Sequence, residues 1–270
     1  AADDPDVGDR LGPYFLQRVA GSGGMGRVFR AVHERLGRTV AIKIMYRACA
    51  VGDGPKRFLR EARAVNKIHR KRPHPNVVEI TDIHEAPEGQ PSYYVMEWLE
   101  GYSLQERRVQ CSGFLPIPEL LTTMIAVTDA IEAAHQAGLI HRDLKPENIF
   151  LAESAPGTGR FTIKLIDFGV ARDLAEPESA QADRLMGTVP YIAPEQVTGQ
   201  SAGDERTDVY SLGVILFELC AGSLPFDGPD TDEALLRRVD HPAPRLREVA
   251  APHVRARVPK ELERIIERCL

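Results

Sequence analysis

The sequence predicts an α+β chain of two lobes, a small β-rich lobe followed by a larger α-helical lobe. Over residues 14–99 the apolar residues mostly alternate with polar ones, which is typical of half-buried strands. Beyond that stretch they recur at helical spacing. The 270 residues, 43% of them hydrophobic, are enough to fill two packed lobes. We expect an N-terminal lobe over residues 10–96, a hinge at 97–101 and a C-terminal lobe over 102–270.

The N-terminal lobe should contain five strands and one main helix. Residues 1–9, AADDPDVGD, precede them, and their acidic composition predicts a disordered tail. The helix is expected over residues 55–70, where the apolar residues that share one face are Phe58, Ala62, Val65 and Ile68. The strands are expected at YFLQRVA (14–20), RVFRAVHE (27–34), RTVAIKIM (38–45), NVVEITDIHEA (76–86) and SYYVMEWL (92–99).

The C-terminal lobe should consist mainly of helices. Residues 208–222, DVYSLGVILFELCAG, are apolar on nearly all sides and predict a buried central helix. Residues 231–239 and 259–270 predict amphipathic helices. Another helix is expected within the segment 118–138, whose last residue, Gly138, fits the position just past the helix end. The apolar stripe of that helix is formed by Leu120, Leu121, Met124, Ile131 and Ala134.

The composition argues against several classes of partner. A net charge of −5 gives no electrostatic reason to expect nucleic-acid binding. The four cysteines are scattered with no Cys-x-x-Cys pair, which favours reduced thiols and a cytoplasmic location for this domain. The most apolar window, residues 209–222, contains Glu218 and is too short to span a bilayer. A membrane anchor elsewhere in a longer protein remains open.

A glycine-rich connection lies between the first two strands. Residues 21–28, GSGGMGRV, fit the pattern G-x-G-x-x-G-x-V. A Rossmann dinucleotide site would need a helix directly after the glycines, so this connection does not fit one. A glycine hairpin can instead bring backbone N–H groups over phosphates, because no Cβ is in the way. On the third strand, Ala41 and Lys43 share one face, so Lys43 can reach an anion beside the space that Ala41 leaves for a flat ring.

A second unusual segment is IHRDLKPENIF, residues 140–150, which combines two acids, two bases, a His and an Asn. Pro146 argues against a regular helix, and the many charges argue against a buried strand. Apolar residues bracket the cluster on both sides. A polar loop between two apolar anchors is a way to hold reactive groups in place.

Seven segments in a fixed order make the chain resemble a serine/threonine protein kinase over essentially its whole length. They are GSGGMGRV, VAIK, FLREA, HRDLKPEN, DFG, GTVPYIAPE and DVYSLG. The segment GSGGMGRVFRA, together with APEQ, looks most like the corresponding segments of the eukaryotic-like kinases of bacteria. The resemblance implies a two-lobed protein kinase fold and the residue roles of the general phosphoryl-transfer template for kinases.

The resemblance implies that the chain binds ATP. The hairpin glycines should cover the phosphates, and Lys43, paired to Glu61, should hold the α- and β-phosphates. Val28, Ala41 and Phe150 should enclose the adenine. Met96 falls at the gatekeeper position, and the backbones of Glu97 and Leu99 should bind the base. The implied nucleotide-binding set is Ala20, Gly21, Ser22, Gly23, Gly24, Met25, Gly26, Arg27, Val28, Ala41, Lys43, Met96, Glu97, Leu99, Phe150 and Asp167.

The resemblance also implies the catalytic residues. Asp143 should accept the proton of the substrate hydroxyl, and Lys145 should meet negative charge on the γ-phosphoryl group. Asn148 and Asp167 should hold Mg²⁺, a hard cation that prefers oxygen ligands, with Mn²⁺ as a second metal that could serve. Lys145 and Thr188 favour serine or threonine over tyrosine as the substrate residue.

Three residues near these motifs have structural interpretations. His141 lies beside the catalytic acid, but by resemblance it packs in the core behind Phe168. His135, on a helix face, is also expected to be structural. Asp208 opens the apolar helix and is expected to act as an N-cap, to bind the backbone of the HRD loop as the family pattern implies, or to do both.

Two other functions remain compatible with a kinase-like chain. A pseudokinase would be an ATP-binding scaffold, but such proteins usually lack one of the key groups, whereas Lys43, Glu61, Asp143, Asn148 and Asp167 are all present. A small-molecule phosphotransferase would lack the peptide-docking segment that runs here over residues 187–195.

The resemblance also raises questions of activation and assembly. Ser179 is the only hydroxyl side chain between Gly169 and Gly187, and we favour a loop that is ordered without phosphate over a phosphorylated Ser179. The partners implied are ATP and proteins that carry Ser or Thr. The resemblance further allows a homodimer for autophosphorylation and a sensor domain in a longer protein.

We also expect the C-terminal lobe to be cut short. The family pattern pairs the Glu of APE, here Glu195, with an Arg beyond Leu270, and Arg206 or Arg268 would have to compensate. The last helix carries an apolar stripe that should need a further helix to cover it. That stripe consists of Leu262, Ile265, Ile266 and Cys269.

Overall fold

A computed structural model of the chain describes residues 4–70, 73–87, 89–155, 157–168, 172–173, 189–198, 203–226 and 232–270. The chain divides into two compact units. The first comprises residues 1–100 with 167–169, and the second comprises 101–166 with 170–270. The division after Glu100 falls within the five residues that the sequence predicts as a hinge.

The first unit contains an antiparallel sheet and one α-helix. Its described strands are β1 (Arg10–Leu11), β2 (Tyr14–Ser22), β3 (Gly26–His33), β4 (Arg38–Met45), β5 (Ile80–His84) and β6 (Tyr93–Glu97), in the spatial order β1-β2-β3-β4-β6-β5. A 3₁₀ turn at Arg47–Cys49 leads to helix α1 (Gly54–His69). The five predicted strands and the helix are therefore confirmed, and β1 is an additional short strand.

The alternation of apolar residues accounts for the sheet. Phe29, Ile42 and Val95 lie on one face and are fully buried in a common cluster, against which Val40 packs. The predicted helix face is confirmed as well, since its apolar residues are all less than 10% exposed. Lys43 is paired in register with Val28 of β3 and Tyr94 of β6, on the face opposite Ile42.

Residues 4–9 differ from the disordered tail that the sequence predicts. Gly8 N donates to Leu16 O at 2.9 Å, and Leu16 N donates to Asp9 O at 3.0 Å, so the segment is bonded to β2. The acidic side chains also find donors, since Arg47 N donates to Asp4 Oδ1 at 2.8 Å. Composition predicts disorder because it counts charge, whereas these contacts depend on donors that come from distant parts of the chain.

The second unit is mainly helical. Its described helices are α2 (Leu104–Gln110), α3 (Ile117–Gln136), α4 (Pro194–Thr198), α5 (Glu205–Ala221), α6 (Asp232–Asp240), α7 (Leu246–Val249), α8 (Pro252–Arg255) and α9 (Lys260–Cys269). Its described strands are β7 (Gly101–Ser103), β8 (Leu139–Ile140), β9 (Ile149–Glu153), β10 (Phe161–Leu165) and β11 (Arg172–Asp173). They form the sheets β10-β9-β7 and β11-β8. The predicted α+β class, with a β-rich part before a helical part, is confirmed.

Helix α5 forms the buried centre of this unit, as predicted, but it begins earlier than Asp208. Its N-cap is Asp204, whose side chain accepts a hydrogen bond from Arg206 N at 2.8 Å. The N-cap interpretation of Asp208 is therefore wrong, because that residue lies within the first turn. In α3 the predicted stripe is buried except for Leu121, which is 40% exposed. Gly138 has φ of +75°, as expected for a residue that ends a helix.

The apolar stripe of α9 is covered in part by α5, and a further helix over the rest of it stays a prediction. Leu262 and Ile266 are buried, and α9 packs against α5. Gly213 of α5 permits this approach, because a Cβ there would lie 2.6 Å from Cβ of Cys269. Only Ile265 of the stripe is largely exposed, at 53%.

Two further features concern the cysteines and the helices. All four cysteines are free thiols, and Cys220 is buried, which raises the pKa of its thiol to about 12. Among the residues that the structure describes, no helix is both long enough and apolar enough to cross a membrane.

Candidate active site

The HRD loop, residues 141–148, runs from β8 to β9 through a 3₁₀ turn at Pro146–Asn148. Asp143 lies at its centre, and Lys145 Nζ donates to Asp143 Oδ2 at 2.9 Å. Asn148 Nδ2 donates to the backbone oxygen of Asp143 at 2.8 Å, and Asn148 is only 4% exposed. Ile166 N donates to Asn148 O at 2.9 Å. The loop therefore brings together the three polar residues that the sequence singles out here, and it restrains their positions.

Asp208 fixes the start of this loop from α5. Its carboxylate is fully buried and accepts hydrogen bonds from His141 N and Arg142 N, both at 2.9 Å. His135 Nε2 of α3 donates to the same carboxylate at 2.8 Å. Arg142 has φ of +67°, which is unfavourable for a non-glycine residue, so the surrounding bonds hold the backbone in a strained turn. The alternative role predicted for Asp208, binding the HRD backbone, is confirmed.

His141 has a structural environment. It is fully buried, and its Nδ1 accepts a hydrogen bond from Asp143 N at 3.3 Å. Its ring therefore supports the backbone of the residue that carries the predicted catalytic carboxylate. This geometry agrees with the structural interpretation of His141.

In the first unit, Lys43 Nζ lies 3.3 Å from Asp167 Oδ1. The Lys43 side chain is 15% exposed and that of Asp167 is 44% exposed. Asp167 has φ of +61°, so this predicted site residue also has a strained non-glycine backbone. Glu61 lies in α1, but its side chain is outside the described residues, so its pairing with Lys43 stays a prediction.

The glycine hairpin, residues 21–26, connects β2 to β3 as predicted. Gly23 N donates to Gly26 O at 2.9 Å, and Tyr46 N donates to Met25 O at 2.9 Å. A Cβ built on Gly24 would meet nothing within 4 Å, whereas one on Gly26 would lie 2.2 Å from Ile44 O. The tip therefore leaves open space over its backbone, and Gly26 is required for the close approach of β3 to β4.

Residues 14–270 match the protein kinase domain family. The chain belongs to this family. It is 40% identical over 223 residues to the serine/threonine-protein kinase pkn2 of Myxococcus xanthus, and 36% identical over 263 residues to PrkC of Bacillus subtilis. It is also 36% identical over 258 residues to PknA of Mycobacterium tuberculosis.

These matches cover most of the kinase domain but only part of each relative. They cover 81%, 96% and 93% of this chain, and 25%, 38% and 57% of pkn2, PrkC and PknA, respectively. The kinase domain therefore spans well under two thirds of the length of these curated relatives.

The other predicted nucleotide-binding residues of the kinase domain are found in both units. Ala41 is paired in register with Met96, and both lie beside Lys43 on the central strands. Glu97 N donates to Glu79 O at 3.0 Å at the end of β6. Phe150 lies on β9 in the second unit, in register with Ser103. Arg27 is directed to the N-terminal segment, since its Nη2 donates to Pro5 O at 2.7 Å.

Within each unit, the predicted residues have the chemistry that phosphates or a divalent cation require. Asn148 uses its amide nitrogen as a donor to Asp143, so its amide oxygen is the end that can bind a cation. Asp167 supplies carboxylate oxygens, and both are the oxygen ligands that Mg²⁺ prefers. The open backbone at Gly21, Gly23 and Gly24 fits the close approach of phosphate oxygens.

Some predicted features lie outside the described residues or have other partners. Gly169, Ser179, Gly187 and Thr188 are outside the described ranges, so the interpretations placed on them stay predictions. Glu195 Oε1 accepts a hydrogen bond from Thr207 Oγ1 at 2.7 Å. Thr207, which is next to Arg206 in the chain, therefore provides a partner that the sequence analysis missed.

A buried polar cluster around Glu218 was also missed. Tyr191 Oη donates to Glu218 Oε2 at 2.7 Å, and Arg108 Nη1 lies 3.5 Å from Glu218 Oε1. Burial raises the pKa of Glu218, and the hydrogen bond from Tyr191 and the charge of Arg108 partly offset this increase. The available signal was Glu218 itself, the one charged residue in the apolar run over residues 209–222.

Proposed function

We propose that this kinase domain transfers the γ-phosphoryl group of ATP to serine and threonine hydroxyls of protein substrates. The observation that carries the proposal is the restrained arrangement of Asp143 with Lys145 and Asn148, on a loop that Asp208 anchors. Phosphoryl transfer depends mainly on positioning and electrostatic stabilisation, which is what a strained and heavily bonded loop can supply. The names of the relatives agree with this reaction class.

The reaction that we propose forms one bond and breaks another. The substrate hydroxyl oxygen bonds to the γ-phosphorus, while the bond between that phosphorus and the β–γ bridging oxygen breaks and ADP departs. The hydroxyl proton passes to the Asp143 carboxylate, and Lys145 faces the charge on the transferred group. Lys43 would orient the α- and β-phosphates. Asn148 and Asp167 would hold Mg²⁺, which neutralises phosphate charge when bound.

A phosphorylation assay tests this proposal against both alternatives. We expect the protein with ATP, Mg²⁺ and a generic protein substrate to yield phosphoserine and phosphothreonine on acid hydrolysis. ATP binding without any transfer would instead indicate a pseudokinase scaffold. Phosphorylation of small molecules alone, or phosphotyrosine as the main product, would contradict the proposed substrate class.

The location and assembly of the longer protein are further proposals. A buried free thiol at Cys220 agrees with a reducing compartment, so we propose that the kinase domain acts in the cytoplasm. We also propose that the longer protein pairs with a second copy for autophosphorylation and carries a sensor domain. Mass spectrometry of the autophosphorylated full-length protein, mixed with an inactive copy, would test phosphorylation between copies.

A further inference from the structure

Residues 4–9, which we call the N-terminal strap, contact the base of the glycine hairpin and the segment that follows the neighbouring strand β4. At the hairpin base, Arg27 follows Gly26 directly, and its guanidinium donates to Pro5 O at 2.7 Å and to Asp6 Oδ1 at 3.4 Å. After β4, Asp4 Oδ1 accepts from Arg47 N at 2.8 Å. The strap therefore connects the strand that leaves the hairpin with Arg47, two residues after the end of β4.

The hairpin and the strap bind consecutive backbone amides. Tyr46 N donates to Met25 O of the hairpin at 2.9 Å, and Arg47 N donates to Asp4 of the strap. A displacement of the 46–47 backbone would disturb both bonds, since the two amides belong to adjacent peptide units. The position of the hairpin is thus coupled to the position of the strap.

The strap has a defined shape of its own, so it can act as a support. Asp6 N donates to Asp9 Oδ2 at 2.9 Å, and Asp9 N donates to Asp6 O at 3.1 Å, which closes a tight turn. The turn is fastened to fully buried Leu16 of β2 by two backbone hydrogen bonds through Gly8 and Asp9. These bonds connect the strap to the core of the sheet.

The strap also gives Arg27 a defined role. The Arg27 side chain is only 23% exposed, and its guanidinium lies 5.2 Å from the centre of the Phe29 ring. Its charge is therefore committed to the strap and the ring. A guanidinium released from these contacts would be mobile beside the backbone amides that are predicted to receive phosphates.

We propose that the N-terminal strap is a positioning element for nucleotide binding, and that Arg27 and Asp6 are positioning residues that hold the glycine hairpin through it. This inference rests on the proposed function, since it assumes that the hairpin covers ATP phosphates. A hairpin whose base is held in advance loses less conformational freedom when the nucleotide binds. Loss of the strap contacts should therefore weaken nucleotide binding and leave the chemical step intact.

The test compares Asp6→Asn, Arg27→Gln and the double variant with the unchanged protein. One measurement is amide hydrogen exchange of Gly23, Tyr46 and Arg47 without nucleotide, and the other is the Kd for a non-hydrolysable ATP analogue. We expect each variant to exchange faster and to bind about three- to fivefold more weakly, as for loss of a charged pair at a partly exposed site. The double variant should be no worse than Arg27→Gln, because both changes remove the same contact.

Arg10→Gln is the matched control. Arg10 lies on β1, the strand that follows the strap, and its Nη2 forms an ion pair with Glu34 at 3.0 Å. Among the described residues, Arg10 has no contact with the hairpin base. We expect this variant to keep the exchange rates and the Kd of the unchanged protein. Should Arg27→Gln fail to fold, Asp6→Asn decides the outcome, because its side chain is 66% exposed.

Several results would overturn the inference. Unchanged exchange in Asp6→Asn would show that the strap does not hold the hairpin. Faster exchange with an unchanged Kd, or weaker binding in Arg10→Gln as well, would show that the strap serves only general stability. A kcat that falls while the KM for ATP is constant would contradict a positioning role in binding. Absence of phosphoryl transfer by the unchanged protein would overturn the proposed function, while the exchange and Kd results would still decide whether the strap supports nucleotide binding.

Discussion

The HRD loop and the glycine hairpin are both predicted to act on the same nucleotide, but the structure holds them in different ways. The HRD loop is fixed by buried side chains, since Asp208 binds two of its backbone amides and Asn148 binds the backbone oxygen of Asp143. The glycine hairpin is fixed through its backbone and through missing side chains, as at Gly26. Buried polar side chains make the HRD loop rigid. The hairpin has an open tip, and backbone hydrogen bonds support its base.

This difference predicts different consequences of substitution. A change in the HRD loop should act on the chemical step or, through Asp208, on the stability of the second unit. A change in the hairpin should act on the sheet that carries it or on nucleotide binding. The following variants test this separation, in decreasing order of the change that we expect.

Asp143→Asn should have the largest effect. An amide cannot accept the hydroxyl proton as a carboxylate does, so we expect kcat to fall by about 10²–10⁴-fold while the melting temperature stays within about two degrees. Lys43→Met should also abolish most transfer without unfolding the protein, because it removes charge and not core packing. Steady-state kinetics and thermal unfolding measure both effects, with the exposed Glu132→Gln as the control. A loss of less than about tenfold in Asp143→Asn would contradict its role as the base.

Asp208→Asn should have the second largest effect, on stability. The buried carboxylate accepts three hydrogen bonds, and an amide nitrogen in its place would face a donor. We expect the free energy of unfolding to fall by about 3 kcal/mol, which lowers the melting temperature by about 6–10 °C. Asp204→Asn is the matched control, because asparagine is as good an N-cap as aspartate. Equal losses in both variants would refute the distinction between the two aspartates.

Gly26→Ala should have a smaller effect on stability, and it acts on the hairpin. The new Cβ would lie 2.2 Å from Ile44 O, so β3 and β4 must move apart. Such overpacking costs about 2 kcal/mol, and we expect the melting temperature to fall by about 4–8 °C. Gly24→Ala is the control, because a Cβ there meets nothing within 4 Å. If Gly24→Ala unfolds as early as Gly26→Ala, the close approach to β4 is not the cause.

Local sequence patterns predict the structure of the hairpin, but they do not predict the residue roles in the HRD loop. The hairpin between two strands and the alternation around Lys43 follow from local patterns, because glycine and strand periodicity act over a few residues. The roles of Asp143 and Asn148 come only from the resemblance, since no local pattern tells a catalytic acid from a solvated one. Family motifs therefore supply the residues, and the structure supplies the bonds between them.

What the sequence analysis missed depends on partners that are distant in the chain. The N-terminal strap reads as a disordered acidic tail, because its donors are Arg27 and the amide of Arg47. The apolar run predicts a helix start at Asp208, where the run begins, but Asp204 provides the N-cap one turn earlier. Capping depends on backbone geometry, which an apolar pattern does not contain.

The smallest expected effect concerns the protonation of His135, which shares Oδ2 of Asp208 with the amide of His141. Burial lowers the pKa of His135, but the hydrogen bond to Asp208, the charge of Asp208 and that of Glu205 raise it by more. The net result is a pKa above the ordinary value of 6.5. The folded protein therefore holds the proton of His135 more tightly than the unfolded chain does.

A raised pKa in the folded state fixes the sign of the pH dependence. The stabilisation by His135 is fully present below pH 6.5, where the unfolded chain also binds the proton, and it is lost as the pH rises through the higher pKa of the folded protein. We expect the melting temperature of the unchanged protein to exceed that of His135→Gln most at pH 6, and the difference to shrink by about 1–3 °C towards pH 9. Glutamine can still donate to Asp208 but has no charge to lose, so it isolates the titration. A difference that is constant, or that grows with pH, would show that His135 is neutral when it binds Asp208.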